Sequence, residues 1–179
     1  RLSGSTEFLA NVNKALPRGE KEVVVMVHGY NNNDAEASFR LAQVVHDYKA
    51  TMPAISFSWP SAGHPGAYAY DRDSVIFSRD ALERLLTILA QDGKKIQVVA
   101  HSMGSQLVME TLRQMSIGKK RSPLRAIAGI TLISPDIDDE VFFAQAKRIS
   151  PFPQPFTLLV SESDHILNLS ALLTGKPQR

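Results

Sequence analysis

Five short apolar runs, each separated from the next by an amphipathic stretch, constrain this chain more than any other feature. They are "EVVVMVH" (22–28), "PAISFSW" (53–59), "KIQVVAH" (95–101), "AIAGITLIS" (126–134) and "FTLLVS" (156–161). Short runs rich in β-branched residues are the pattern of strands buried on both faces. Between them, Leu41, Val44, Val45 and Tyr48 recur at i, i+3, i+4 and i+7, with Asn33 and Glu36 spaced as a capping box. Phe77, Ala81, Leu85 and Ile88 form a second stripe, within a helix expected over about 72–91 and ended by "GKK". Val108, Leu112 and Met115 form a third, closed by Gly118. A weaker helix is expected after Asp138, and a short one from Ile166 to Leu173. The runs start about 30 to 40 residues apart, a spacing that suits crossover units and parallel strands. The fold class expected is α/β: a mostly parallel sheet with helices on both faces, in one domain spanning residues 1–179.

Composition narrows the function classes. At 179 residues, 44% hydrophobic and 21% charged, the chain has the balance of a globular domain with a sizeable core. A net charge of +2 is too small to point to nucleic acid. The one basic cluster, Lys119, Lys120 and Arg121, reads as a solvated loop between Gly118 and Pro123. No apolar run approaches the roughly 20 residues of a membrane span. The absence of cysteine removes disulfides and thiolate metal ligands and leaves the compartment open. The first residues hold neither an initiator methionine nor the apolar segment of a signal peptide, so the chain reads as trimmed at its start.

In a parallel sheet of this kind, chemistry collects where strands end. The five exits carry His28-Gly29-Tyr30-Asn31, Trp59-Pro60-Ser61, His101-Ser102-Met103-Gly104, Ser134-Pro135-Asp136 and Glu162-Ser163-Asp164-His165. The third stands out. "VVAHSMG" places Ser102 between a β-branched strand and an amphipathic helix, with Ala100 and Gly104 two places away on either side. A nucleophilic serine needs its Oγ lifted clear of the sheet by a sharp strand–turn–helix, and small residues two away avoid clashes. The helix start then offers N–H groups to a developing anion. That makes Ser102 the expected nucleophile of an elbow of G-x-S-x-G type, with Ala100 in place of the first glycine.

Taken together, "HGYNNN", "FSWPSAG", "VVAHSMG", "ISPDIDDEVF" and "LLVSESDHIL" resemble the α/β-hydrolase superfamily. More narrowly, they resemble its bacterial branch known as domain of unknown function 900. The resemblance covers about residues 23–175. It implies a serine hydrolase without metal or organic cofactor. Ser102 matches the nucleophile, and the backbone N–H groups of Met103 and Tyr30 match the two oxyanion donors. Asp164 matches the acid of the triad, with Asp136, one strand earlier, as its competitor.

The chain order Ser, Asp, His leaves the base as the open question. His28 sits in the oxyanion loop, His46 in a helix, His64 in the loop after the second strand, and His101 beside the nucleophile. His165 follows Asp164 directly, a spacing poor for a relay. In the resembled family the base comes after one further strand, so the expectation is a base beyond Arg179 and a chain lacking its last strand. Such a chain would be poorly active, and its exposed sheet edge would promote self-association.

The reading is therefore a carboxylic ester hydrolase of esterase or lipase type, working on a small-molecule ester through an acyl-enzyme. A thioesterase, acyltransferase or peptidase on the same scaffold, or a catalytically silent binding domain, are the alternatives. The loop from Ser61 to Asp73, with Tyr68 and Tyr70, is expected to line the acyl pocket.

Overall fold

A computed structural model describes residues 4–32, 34–47, 49–64 and 66–160. All five apolar runs form strands: β1 (Glu22–Val27), β2 (Ala54–Phe57), β3 (Lys95–His101), β4 (Ile127–Ile133) and β5 (Phe156–Leu159). They pair in parallel as one open sheet in the order β2-β1-β3-β4-β5. The helices are α1 (Ser5–Ala15), α2 (Asp34–Asp47), α3 (Tyr68–Phe77), α4 (Arg79–Gln91), α5 (Met103–Ile117), α6 (Arg121–Ala126) and α7 (Asp139–Arg148). Right-handed crossovers put α2 on one face, because the chain steps outward from β1 to β2. After β2 it crosses back to β3 and steps the other way, so α3, α4, α5 and α7 share the opposite face. The packing agrees: α2 lies against β2, whereas α5 touches α3, α4, α6 and α7 as well as β1 and β3.

Burial follows position in the sheet. Val23, Val25 and Val27 of β1 and Ile96, Val98 and Ala100 of β3 are buried, and with Leu107, Met109 and Leu112 of α5 they form the centre of the core. The outer strands do not meet the expectation of burial on both faces. β2 is only half-buried along its length, and Thr157, Leu158 and Leu159 of β5 are exposed. Among the described residues each of these strands has a neighbour on one side only and loses cover there, which for β5 agrees with the expected open sheet edge.

The helix expected over 72–91 is divided. The Ser78 hydroxyl donates to the Ser74 carbonyl at 2.9 Å, and the axis breaks there into α3 and α4. The interruption keeps the phase: Asp71, Val75, Ser78, Leu82, Leu86 and Leu89 form one buried stripe across it, about one residue out of step with the stripe the sequence suggests. Phe77 is 85% exposed, and the buried stripe of α4 is Leu82, Leu86 and Leu89 rather than Phe77, Ala81, Leu85 and Ile88. Helix α7 begins as expected, with the Asp138 carboxylate accepting from the Glu140 and Val141 N–H groups. Helices α1 and α6 have no counterpart in the sequence reading. Arg121 opens α6, and Lys120 pairs with the nearly buried Glu83 of α4, so this cluster is more tied down than a solvated loop. The Asn33 cap, the Val44 side chain, Tyr48 and the short helix over 166–173 lie outside the described residues. No described helix is long and apolar enough to cross a membrane.

Candidate active site

The chain reverses direction across the sheet between β1 and β3, and their carboxyl ends form the crevice where ligands bind in open parallel sheets. The register pairs Val27 with Ala100, which sets His28-Gly29-Tyr30 beside His101-Ser102-Met103. Ser102 has φ 50° and ψ −125°, a strained conformation for a residue with a side chain. Its N–H donates to the Ile133 carbonyl at 2.9 Å, and its own carbonyl accepts from Ser105 at 2.9 Å and Asp136 at 3.2 Å. The backbone is thereby held by β4, α5 and the loop after β4. The side chain is different: Ser102 is buried, and its Oγ has no hydrogen-bond partner among the described residues. Helix α5 starts at the next residue, and the N–H groups of Met103 and Gly104 lie ahead of its first backbone bond.

Two glycines interlock these strand ends. A Cβ on Gly104 would strike the His28 carbonyl oxygen and lie 2.8 Å from that of Val27. The obstacle is therefore the end of β1, not the turn itself. A Cβ on Gly29 would lie 2.7 Å from His101 Nδ1, 2.9 Å from the His101 carbonyl and 2.9 Å from Ser102 Cβ. Only a hydrogen at each position lets the ends of β1 and β3 approach this closely.

His28 is built into the loop. The Trp59 backbone N–H donates to its Nε2 at 3.1 Å, so Nδ1 carries the proton and donates to the Gly29 carbonyl at 2.9 Å. The Trp59 indole stacks on the ring at 5.0 Å and donates to the His28 carbonyl at 2.8 Å. Asn32 adds a bond the sequence reading did not single out, its side-chain amide donating to the Tyr30 carbonyl at 2.8 Å. The Tyr30 ring is buried, and its hydroxyl donates to the His64 carbonyl at 3.5 Å. Burial first, and then the negative charge of Asp71, push the Tyr30 phenol above its ordinary pKa.

Of the two tyrosines expected to line a pocket, Tyr68 is buried and Tyr70 is 59% exposed. They stand in the first turn of α3, so the segment from Ser61 to Asp73 is a loop only in its first half. Tyr68 donates to Asp136 Oδ2 at 2.8 Å, and its ring meets Tyr30 edge-on at 5.4 Å. Asp136 is thus buried against the elbow. Asp164 and His165 lie outside the described residues. Asp71, which the sequence reading passed over, is fully buried and accepts from Ser61 Oγ at 2.6 Å and the Ala62 N–H at 2.8 Å. No short-range pattern marks it, because its partners are nine and ten residues away.

Among the described histidines none bonds the Ser102 hydroxyl. His46 is exposed on α2, and His64 Nδ1 accepts from the Gly66 N–H.

The model of a family described as "Alpha/beta hydrolase of unknown function (DUF900)" matches residues 5–179. An uncharacterized protein, alr1448, of Nostoc sp. (strain PCC 7120) is 41% identical over 63 residues, 34% of this chain and 16% of that protein. Among solved structures, TT1662 from Thermus thermophilus is similar with a TM-score of 0.58 at 13% identity, over 91% of this chain and 78% of the other. A type II thioesterase from the yersiniabactin pathway, YbtT, gives 0.46 at 18% identity, over 75% of this chain and 55% of its own. The chain thus spans about half of that thioesterase and a small part of the Nostoc protein. At these identities the structural likeness is one of fold alone.

Proposed function

From the premise that the chain belongs to this alpha/beta hydrolase family, we propose that it cleaves carboxylic esters through an acyl-enzyme, with Ser102 as nucleophile. The observation that carries the reading is the buried, unpartnered Ser102 Oγ on a strained strand–helix turn. A strained backbone with no structural use for its hydroxyl is a marker of function. In this reading Ser102 Oγ attacks the ester carbonyl while its proton passes to a histidine. The backbone N–H groups of Met103 and Tyr30 take the oxyanion, aided by the positive end of α5. The alkoxide leaves with a proton from that histidine, and water then releases the acid by the reverse sequence. Asp164 orients that histidine, which is to be sought outside the described residues.

A fluorophosphonate probe applied to the full-length protein is expected to label Ser102 and to fail on Ser102→Ala. Asp164→Asn is expected to lower kcat by on the order of 10⁴. Labelling that persists in Ser102→Ala would refute the nucleophile. A full-length protein that takes no probe at all would leave a binding domain on the same scaffold.

A further inference from the structure

Tyr68 joins three parts of the site that the chain keeps far apart. It belongs to the first turn of α3, its hydroxyl bonds Asp136 in the loop after β4, and its ring packs on Tyr30 in the loop after β1. Asp136 in turn donates its backbone N–H to the Ser102 carbonyl at 3.2 Å. One turn further along α3, Asp71 holds the loop after β2 through Ser61 and Ala62.

We propose that Tyr68 is a positioning residue, which holds the Tyr30 backbone and the Ser102 elbow in fixed relation by its hydroxyl bond to Asp136 and its ring contact with Tyr30. The inference rests on the reading of Ser102 and Tyr30 as nucleophile and oxyanion donor. An oxyanion hole stabilises a transition state only when its donors stand within a few tenths of an ångström of the developing anion. Ser102 and Met103 share one rigid turn, whereas Tyr30 stands on a separate loop. The glycine contacts hold the two strand ends together as far as Gly29, and Tyr68 braces the next residue, its ring against Tyr30 and its hydroxyl on Asp136, which bonds the Ser102 carbonyl. The same arrangement gives Asp136 a task other than that of triad acid: its carboxylate is the acceptor that receives the Tyr68 proton donor. An amide oxygen also accepts from a phenol, though in a weaker neutral bond, so Asp136→Asn keeps the acceptor, whereas a triad acid does not survive the same change.

The test compares Tyr68→Phe, Asp136→Asn and the unsubstituted full-length protein by two measurements. One is the rate at which a fluorophosphonate labels Ser102; the other is amide hydrogen exchange over residues 29–32 and 102–105. Tyr68→Phe is expected to slow labelling by roughly tenfold or more and to speed exchange in both segments. Asp136→Asn is expected to stay within about threefold of the parent in both, because the acceptor is kept. Unchanged exchange or unchanged labelling in Tyr68→Phe overturns the proposal. A thousandfold loss in Asp136→Asn overturns it too, and makes Asp136 the triad acid. If the unsubstituted protein is not labelled, exchange still decides. Faster exchange in Tyr68→Phe then sustains the positioning contact and sinks the hydrolase reading, while unchanged exchange sinks both.

Discussion

The exits of β3 and β2 both border the candidate site, yet they are held by different forces. At β3 the chain turns through Ser102, with Gly104 pressed against backbone atoms of β1's end and Gly29 against the His101 carbonyl, the His101 ring and Ser102 Cβ. Close backbone contact leaves no room for a side chain at Gly104, where the neighbours are carbonyl groups that cannot yield without moving the strand end. At β2 the chain runs through Pro60, Ser61 and Ala62 and is retained by polar side chains. The Asp71 carboxylate accepts two bonds, and Ser74 donates to the Pro60 carbonyl at 2.5 Å. Steric exclusion is rigid and all-or-none, whereas a hydrogen-bonded loop can open one bond at a time. The proposed nucleophile thus stands on the rigid exit, and the loop proposed to line its pocket on the adaptable one.

Gly104→Ala should have the largest effect and tests the rigid half. The added methyl meets carbonyl oxygens of β1, so the strand end or the helix must move, at a cost of about 3 kcal/mol or more. Urea unfolding measures it, and a loss under 1 kcal/mol would mean that this exit is as compliant as the other. Asp71→Ala tests the adaptable half. It removes the acceptor for Ser61 and Ala62, with an expected loss of about 2 kcal/mol. Proteolytic cleavage between residues 60 and 67 should rise while labelling of Ser102 is retained; if labelling disappears as well, the two exits are not independent.

Ser102→Gly is the sharpest of the smaller changes. Removing the side chain relieves the positive φ, so stability should rise by about 1 kcal/mol while probe labelling is abolished. A fall in melting temperature would argue that the serine serves the fold rather than the chemistry. Phe77→Ser is the control. This ring is 85% exposed beside the α3–α4 break, and its loss should shift stability by no more than about 0.5 kcal/mol. A larger loss would restore Phe77 to the core stripe on which the sequence periodicity places it.

The contrast between the exits also explains what could be read in advance. The elbow was legible because its requirements are local. A β-branched run, a serine, a glycine two places on and a helical stripe all fall within about 15 residues, and each is dictated by backbone sterics. The five strands were legible for the same reason, as continuous apolar runs. The α3–α4 break was not, because Ser78 is an ordinary helix residue whose hydroxyl happens to take the Ser74 carbonyl. The exposure of β5 was legible only as the open edge of a sheet lacking its last strand, whereas the half-burial of β2 was not, because it depends on place at the side of the sheet rather than on residues.

The sequence by itself determined the parallel α/β framework, the position of Ser102 on its turn and the glycines that admit it, since each follows from periodicity or from the volume of one atom. Tertiary structure alone decided that Tyr68 turns inward and Tyr70 outward, that Asp136 lies against the elbow, and that Asp71 secures the loop after β2. The physical reason is range. Steric rules act between neighbours in the chain, whereas a buried polar side chain must find a partner wherever the fold brings one, here as far as 68 residues away.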